Sequence, residues 1–100
     1  MAKEFVETLN ITNVYQKKKY DRRMAIYFTI EGFHYRLYAE KQEYGIFYPT
    51  DVLHQEHRRE CNYCDKVTIC PGLKVYLLEL FHRLIEHPSI RLEWLYINHV

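Results

Sequence analysis

Two periodicities divide this chain. Up to Tyr48 apolar side chains recur at every second residue, and between Leu73 and Glu86 they recur at three-, four- and seven-residue spacing. The first period belongs to half-buried strands and the second to a helix with one buried stripe. The clearest strands are Met24, Ile26, Phe28, Ile30 and Phe33, Tyr35, Leu37, Ala39, separated by Glu31-Gly32. A two-residue link with Gly, where a left-handed backbone is easiest, predicts a tight hairpin. In that register Ile30 faces Phe33, Phe28 faces Tyr35, Ile26 faces Leu37 and Met24 faces Ala39. The opposite face pairs Thr29 with His34, Tyr27 with Arg36, Ala25 with Tyr38 and Arg23 with Glu40. A slip of one residue would invert both faces, so the register is well specified.

Further strands are expected on either side. Tyr44 to Tyr48 would place Tyr44, Ile46 and Tyr48 opposite Ala39, Leu37 and Tyr35, with Phe47 on the other face. A weaker pattern from Phe5 to Tyr15, interrupted by Asn10, Thr12 and Asn13, predicts a polar edge strand, bulged along its length. Pro71 suits the first position of a helix and Pro88 stops it, with Leu73, Leu77, Leu80, Phe81, Leu84 and Ile85 as its stripe. Ile90, Leu92, Trp94 and Tyr96 predict a final strand, although Leu95 and Ile97 break the alternation and leave a second helix as the alternative. The fold expected is α+β in a single domain, residues 1–100: a four-stranded antiparallel meander over 1–48, a Cys/His loop over 49–70, a helix over 71–87 packed on the sheet, and a final strand over 89–98.

Composition narrows the function classes. An aromatic content of 16% is far above that of disordered segments, and no run approaches the roughly 20 apolar residues of a spanning helix. The net charge of +1 announces no global attraction to nucleic acid or to a membrane surface. The start, Met1-Ala2-Lys3-Glu4, lacks the apolar stretch of a secretory leader, so a cytoplasmic location with reduced cysteines is expected. Abundant Tyr, Lys and Ile with little Ala suit an AT-rich genome such as that of a Gram-positive bacterium or one of its phages.

The segment His54-x2-His57-x3-Cys61-x2-Cys64-x5-Cys70 gathers all three cysteines and two of the six histidines. Zinc takes four such ligands in a tetrahedron, and Cys-x2-Cys places two sulfurs on one ion. Cys70 stands just before the predicted helix, where a thiolate is stabilised. A knuckle followed by a ligand at a helix N-terminus resembles half of the treble-clef arrangement. The resemblance covers about ten residues and departs at the fourth ligand, since Leu73 and Lys74 in the first helical turn cannot serve. The expected ligands are His57, Cys61, Cys64 and Cys70, with His54 as the alternative to His57. The loop has little else to order it, because Val52, Leu53 and Tyr63 are its large apolar residues between Asp51 and Lys66. Thiols packed as small hydrophobes, or a redox pair, are the competing readings.

Two further groups of residues invite a partner. Lys17-Lys18-Lys19-Tyr20-Asp21-Arg22-Arg23 carries a local charge of +4 and could grip phosphates through its lysines, Tyr20, Arg22 and Arg23, or simply be a solvated turn. Tyr27, Arg36, Tyr38 and Phe47 fall together on the second sheet face, where aromatics beside arginine favour an interface unless a strand or loop covers them. No Gly-x-Ser-x-Gly, phosphate-binding loop or His-Glu-x-x-His order is present. The leading expectation is therefore a small, zinc-stabilised, non-enzymatic protein that binds another protein, such as a phage or mobile-element regulator of host machinery. The alternative is a nucleic-acid-binding module using the basic turn and the aromatic face. Third is a metal-dependent nuclease with Glu56 as its base.

Overall fold

The computed structural model describes residues 2–20, 23–42, 47–55 and 70–90. Its elements are α1 (Ala2–Thr8), β1 (Ile11–Tyr20), β2 (Arg23–Ile30), β3 (Phe33–Lys41), β4 (Phe47–His54), α2 (Pro71–Lys74) and α3 (Leu77–Ile85). The strands form one antiparallel sheet in the order β1-β2-β3-β4, with short helices beside it, an α+β arrangement. No helix of the described residues is long and apolar enough to cross a membrane.

The central hairpin has the expected register at every pair from Arg23↔Glu40 to Ile30↔Phe33. Its link adopts φ of 49° at Glu31 and 89° at Gly32. Two successive left-handed residues match the right-handed twist of the strands they join. Met24, Ile26, Phe28, Ile30, Tyr35, Leu37 and Ala39 are all buried in the core, together with Leu73, Leu80, Phe81 and Leu84 from the helical region. Each large side chain so buried stabilises the fold by roughly 1.5–3 kcal/mol.

Four expectations need correction. The first strand starts at Ile11 and runs to Tyr20, while the preceding residues form α1. Phe5, Val6 and Leu9 lie at helical spacing, and Phe5 stacks on Tyr76 with ring centroids 4.4 Å apart. The run Lys17–Tyr20 is therefore strand rather than turn.

The fourth strand is Phe47–His54, so Ala39 meets Pro49, Leu37 meets Val52 and Tyr35 meets His54. Pro49 is tolerated because β4 is an edge strand. Thr50 is the extra residue of an irregularity between Tyr38 and Ala39, and the bulge brings Val52 and His54 onto the core face. Tyr44 and Ile46 lie outside the described residues.

The single helix over 71–87 is two helices. Tyr76, at φ −109° and ψ 26°, interrupts them, and its carbonyl accepts from Leu80 N–H at 2.8 Å to open α3. Finally, Ser89 and Ile90 form turn rather than the start of a strand, and the remainder of that expected strand lies outside the described residues.

Two tethers bind the helices to β1 and its approach. Arg83 Nη1 donates to the carbonyls of Val6 and of Leu9, the latter at 2.7 Å, placing a cation on the last turn of α1. Ser89 Oγ donates to Val14 O at 2.6 Å, beside the bulge that Asn13 makes with its φ of 54°. Asn at the first link position is the residue best suited to φ above zero after Gly. Glu31→Asn should accordingly raise the unfolding free energy by about 0.5–1 kcal/mol in urea titration. A neutral or destabilising result would show that Glu31 contributes something beyond its backbone angle.

Candidate interaction face

The face of the sheet opposite the helices is organised in transverse rows. One row runs Tyr15, Tyr27, Arg36, Leu53 across the four strands, and the next runs Lys17, Ala25, Tyr38, Asp51. With neighbouring strands about 4.8 Å apart, each row spans roughly 14 Å. Alternation of side chains sends these residues outward while their neighbours enter the core.

Stacking controls the first row. The Tyr15 and Tyr27 rings lie 4.9 Å apart and within 5° of parallel, and Lys17 Nζ stands 5.8 Å from the Tyr27 centroid. These neighbours leave Tyr27 only 7% exposed, whereas Tyr15 keeps 44%. Arg36 is half-buried, with its guanidinium carbon 5.6 Å from the centroid of Tyr38. Arg23 approaches the same ring at 5.3 Å and pairs with Glu40 at 2.9 Å. Asp51 is engaged by Lys74 at 3.5 Å. Among the described residues, by contrast, Arg36 faces no carboxylate, and its Nε is buried without a hydrogen-bond partner. A half-desolvated guanidinium on an aromatic bed attracts an anion more strongly than one in free water.

Of the four expected contact residues, Arg36 and Tyr38 occupy this face as anticipated. Tyr27 lies on it but beneath Tyr15 and Lys17, so it supports the surface rather than presenting it. Phe47 is on the opposite side, 3% exposed and within the core, because it pairs with Lys41 and begins the strand one residue out of the expected phase. Tyr48 takes its place outside and is 54% exposed. Tyr15, Tyr48 and Leu53 were not legible as face residues. The Asn13 bulge shifts Tyr15 onto the same face as Thr12, and the Thr50 bulge does the same for β4.

Lys17, Lys18 and Lys19 occupy the far end of β1, and Lys17 is exposed. Asp21 and Arg22 lie outside the described residues, as do Glu56, His57, Cys61 and Cys64. Of the Cys/His cluster, the described members are His54 and Cys70, both buried. Gln55 N–H donates to His34 O on β3 at 3.0 Å and Cys70 N–H donates to Val52 O on β4 at 2.9 Å, so the two ends of the expected metal loop are held on neighbouring strands. The Cys70 side chain also belongs to the hydrophobic core, which suits the competing reading of a packed thiol. Among the described residues no three His, Cys, Asp or Glu side chains gather closely enough to hold a metal ion.

Ser89 Oγ lies 2.8 Å from His87 Nδ1, but its proton goes to Val14 O and the backbone N–H of Ser89 itself already occupies that ring nitrogen. The contact closes a turn and does not activate a nucleophile. No protein-family model, curated protein or solved structure matches the chain.

The burial pattern separates surface from support. Tyr27→Ala should cost about 2–4 kcal/mol and Phe47→Ala about 3–5 kcal/mol in urea unfolding. Arg36→Ala should cost about 1 kcal/mol or less. Equal costs for Tyr27 and Arg36 would contradict this division.

Proposed function

We propose that the protein is non-enzymatic and works by binding another protein through the outer face of its sheet, with zinc ordering the loop between Gln55 and Cys70. The observation that carries the first part is Arg36: a cation that faces no carboxylate among the described residues, in one row with Tyr15 and Leu53 and against Tyr38, on a face that also presents Tyr48. Arginine and tyrosine are among the side chains that most often dominate protein interfaces, because each combines a large contact area with hydrogen-bonding groups of fixed geometry. A regulator of host machinery carried by a phage or mobile element remains the role that size and composition suit.

The test compares proteins and nucleic acids retained by wild type, by Arg36→Ala with Tyr48→Ala, and by Lys17, Lys18 and Lys19 changed together to Glu. The first variant should lose a protein partner by tenfold or more in affinity, about 1.4 kcal/mol. The lysine variant should keep it, with at most a slower association rate. Retention of the partner by the Arg36 and Tyr48 variant would remove the face from the mechanism.

One observation favours a second reading, nucleic-acid binding: Lys17 lies over a stacked tyrosine pair, and stacking rings beside cations can hold bases and phosphates. Micromolar binding to DNA or RNA at physiological salt, lost in the lysine variant, would make that reading the leading one.

The proposed zinc site uses Cys61, Cys64 and Cys70 with His57 or His54. Its support is the ligand spacing, together with the two hydrogen bonds that hold the loop's ends on the neighbouring strands β3 and β4. About one zinc per chain should co-purify. Cys64→Ser should lower the melting temperature sharply, since structural zinc supplies about 10–16 kcal/mol of apparent binding energy. Metal-free protein with three freely reactive thiols would overturn this proposal.

A further inference from the structure

A groove of about 620 Å³ runs between α1 and α3, on residues separate from the outer sheet face. Val6 and Leu78 supply its apolar lining, and Glu7, Glu79 and Glu86 its carboxylates. Leu78 is 46% exposed, and Glu7 and Glu86 are exposed as well. His82 and Arg83 also line the groove, but the Arg83 guanidinium is engaged with the carbonyls of Val6 and Leu9, so three carboxylates face one imidazole there. The groove therefore keeps an acidic rim around an apolar lining, the complement of a lysine-rich segment with long aliphatic stems.

This chain carries such a segment at the far end of β1. Glu7 lies within one helical turn of the start of β1, and Lys17, Lys18 and Lys19 occupy the end of the same strand. The eight steps from Ile11 to Lys19 extend roughly 26 Å at about 3.3 Å per residue. The molecule is elongated, 44 Å along its longest axis. With a Debye length of about 8 Å, the acidic groove and the basic strand end cannot neutralise each other within one molecule. β1 is an edge strand of the described sheet, and Lys17 near its end is exposed.

We infer that the groove receives the Lys17–Lys19 end of β1 from a second copy of the chain. The contact joins two different surfaces, so it is head-to-tail and builds rings or open chains rather than twofold dimers. A contact this small belongs to the weak class, with a dissociation constant on the order of 100 µM.

Sedimentation velocity over a range of protein concentrations tests it. Wild type should self-associate at about 50 mM salt and become monomeric at about 500 mM, where screening is nearly complete. Glu7→Lys with Glu86→Lys should be monomeric at both, and so should Lys17→Glu with Lys19→Glu. The groove substitutions put cations on the C-terminal turns of α1 and α3, where the helix dipole favours them, so folding is preserved. An equimolar mixture of the two variants should associate again, because the native strand end of one meets the native groove of the other. Monomeric wild type at low salt overturns the inference, as does association that survives both reversals. Binding of a synthetic peptide spanning residues 17–23 to wild type that stays monomeric also overturns it, and assigns the groove to a basic segment of another protein.

Discussion

Glu31 and Gly32 link β2 to β3 in two left-handed steps, and that link forces Ile30 opposite Phe33. Every later pairing in the hairpin follows from this first one. The core receives Met24, Ile26, Phe28 and their partners, and the outer face receives Tyr27, Arg36 and Tyr38. Because both faces are specified, a shifted hairpin would bury Arg36 and Glu40 while exposing Phe28 and Leu37. The outer strands, the helices and the candidate interaction face are all built outward from this register.

The hairpin was legible in the sequence because its two signals agree. Alternation set the faces, and the Gly-containing link set the register. The edge strands were less legible because each contains a bulge. Asn13 adds a residue to β1 and Thr50 adds one to β4, and each addition reverses the alternation partway along its strand. A period of two read across such a point assigns the residues beyond it to the wrong face. Phe47 and Tyr48 exchanged places for a related reason, since Pro49 concealed the strand that follows it.

The helical region shows a different limit. The stripe from Leu73 to Ile85 reported burial correctly, yet the break at Tyr76 left no mark on it. Leu73 and Leu80 face the core whether or not the backbone between them stays helical. α1 was missed because its seven residues hold too few apolar positions to display a period. Its identity depends on contacts made by distant residues, the Tyr76 ring on Phe5 and the Arg83 guanidinium on its final carbonyls. Arg36, by contrast, was picked out from pattern alone, because a charged residue opposite Tyr27 on the outer face follows directly from the hairpin register.

The Arg83 tether has a consequence for synthesis. It joins Val6 to a residue 77 positions later in the chain. At about 5–20 residues per second, α1 leaves the ribosome roughly 4–15 s before Arg83 does. During that interval Phe5, Val6 and Leu9 have neither α3 nor a finished sheet to cover them. The segment from Phe5 to Leu9 is thus made well before the residue that secures it, and in the nascent chain it is the natural handle for a chaperone.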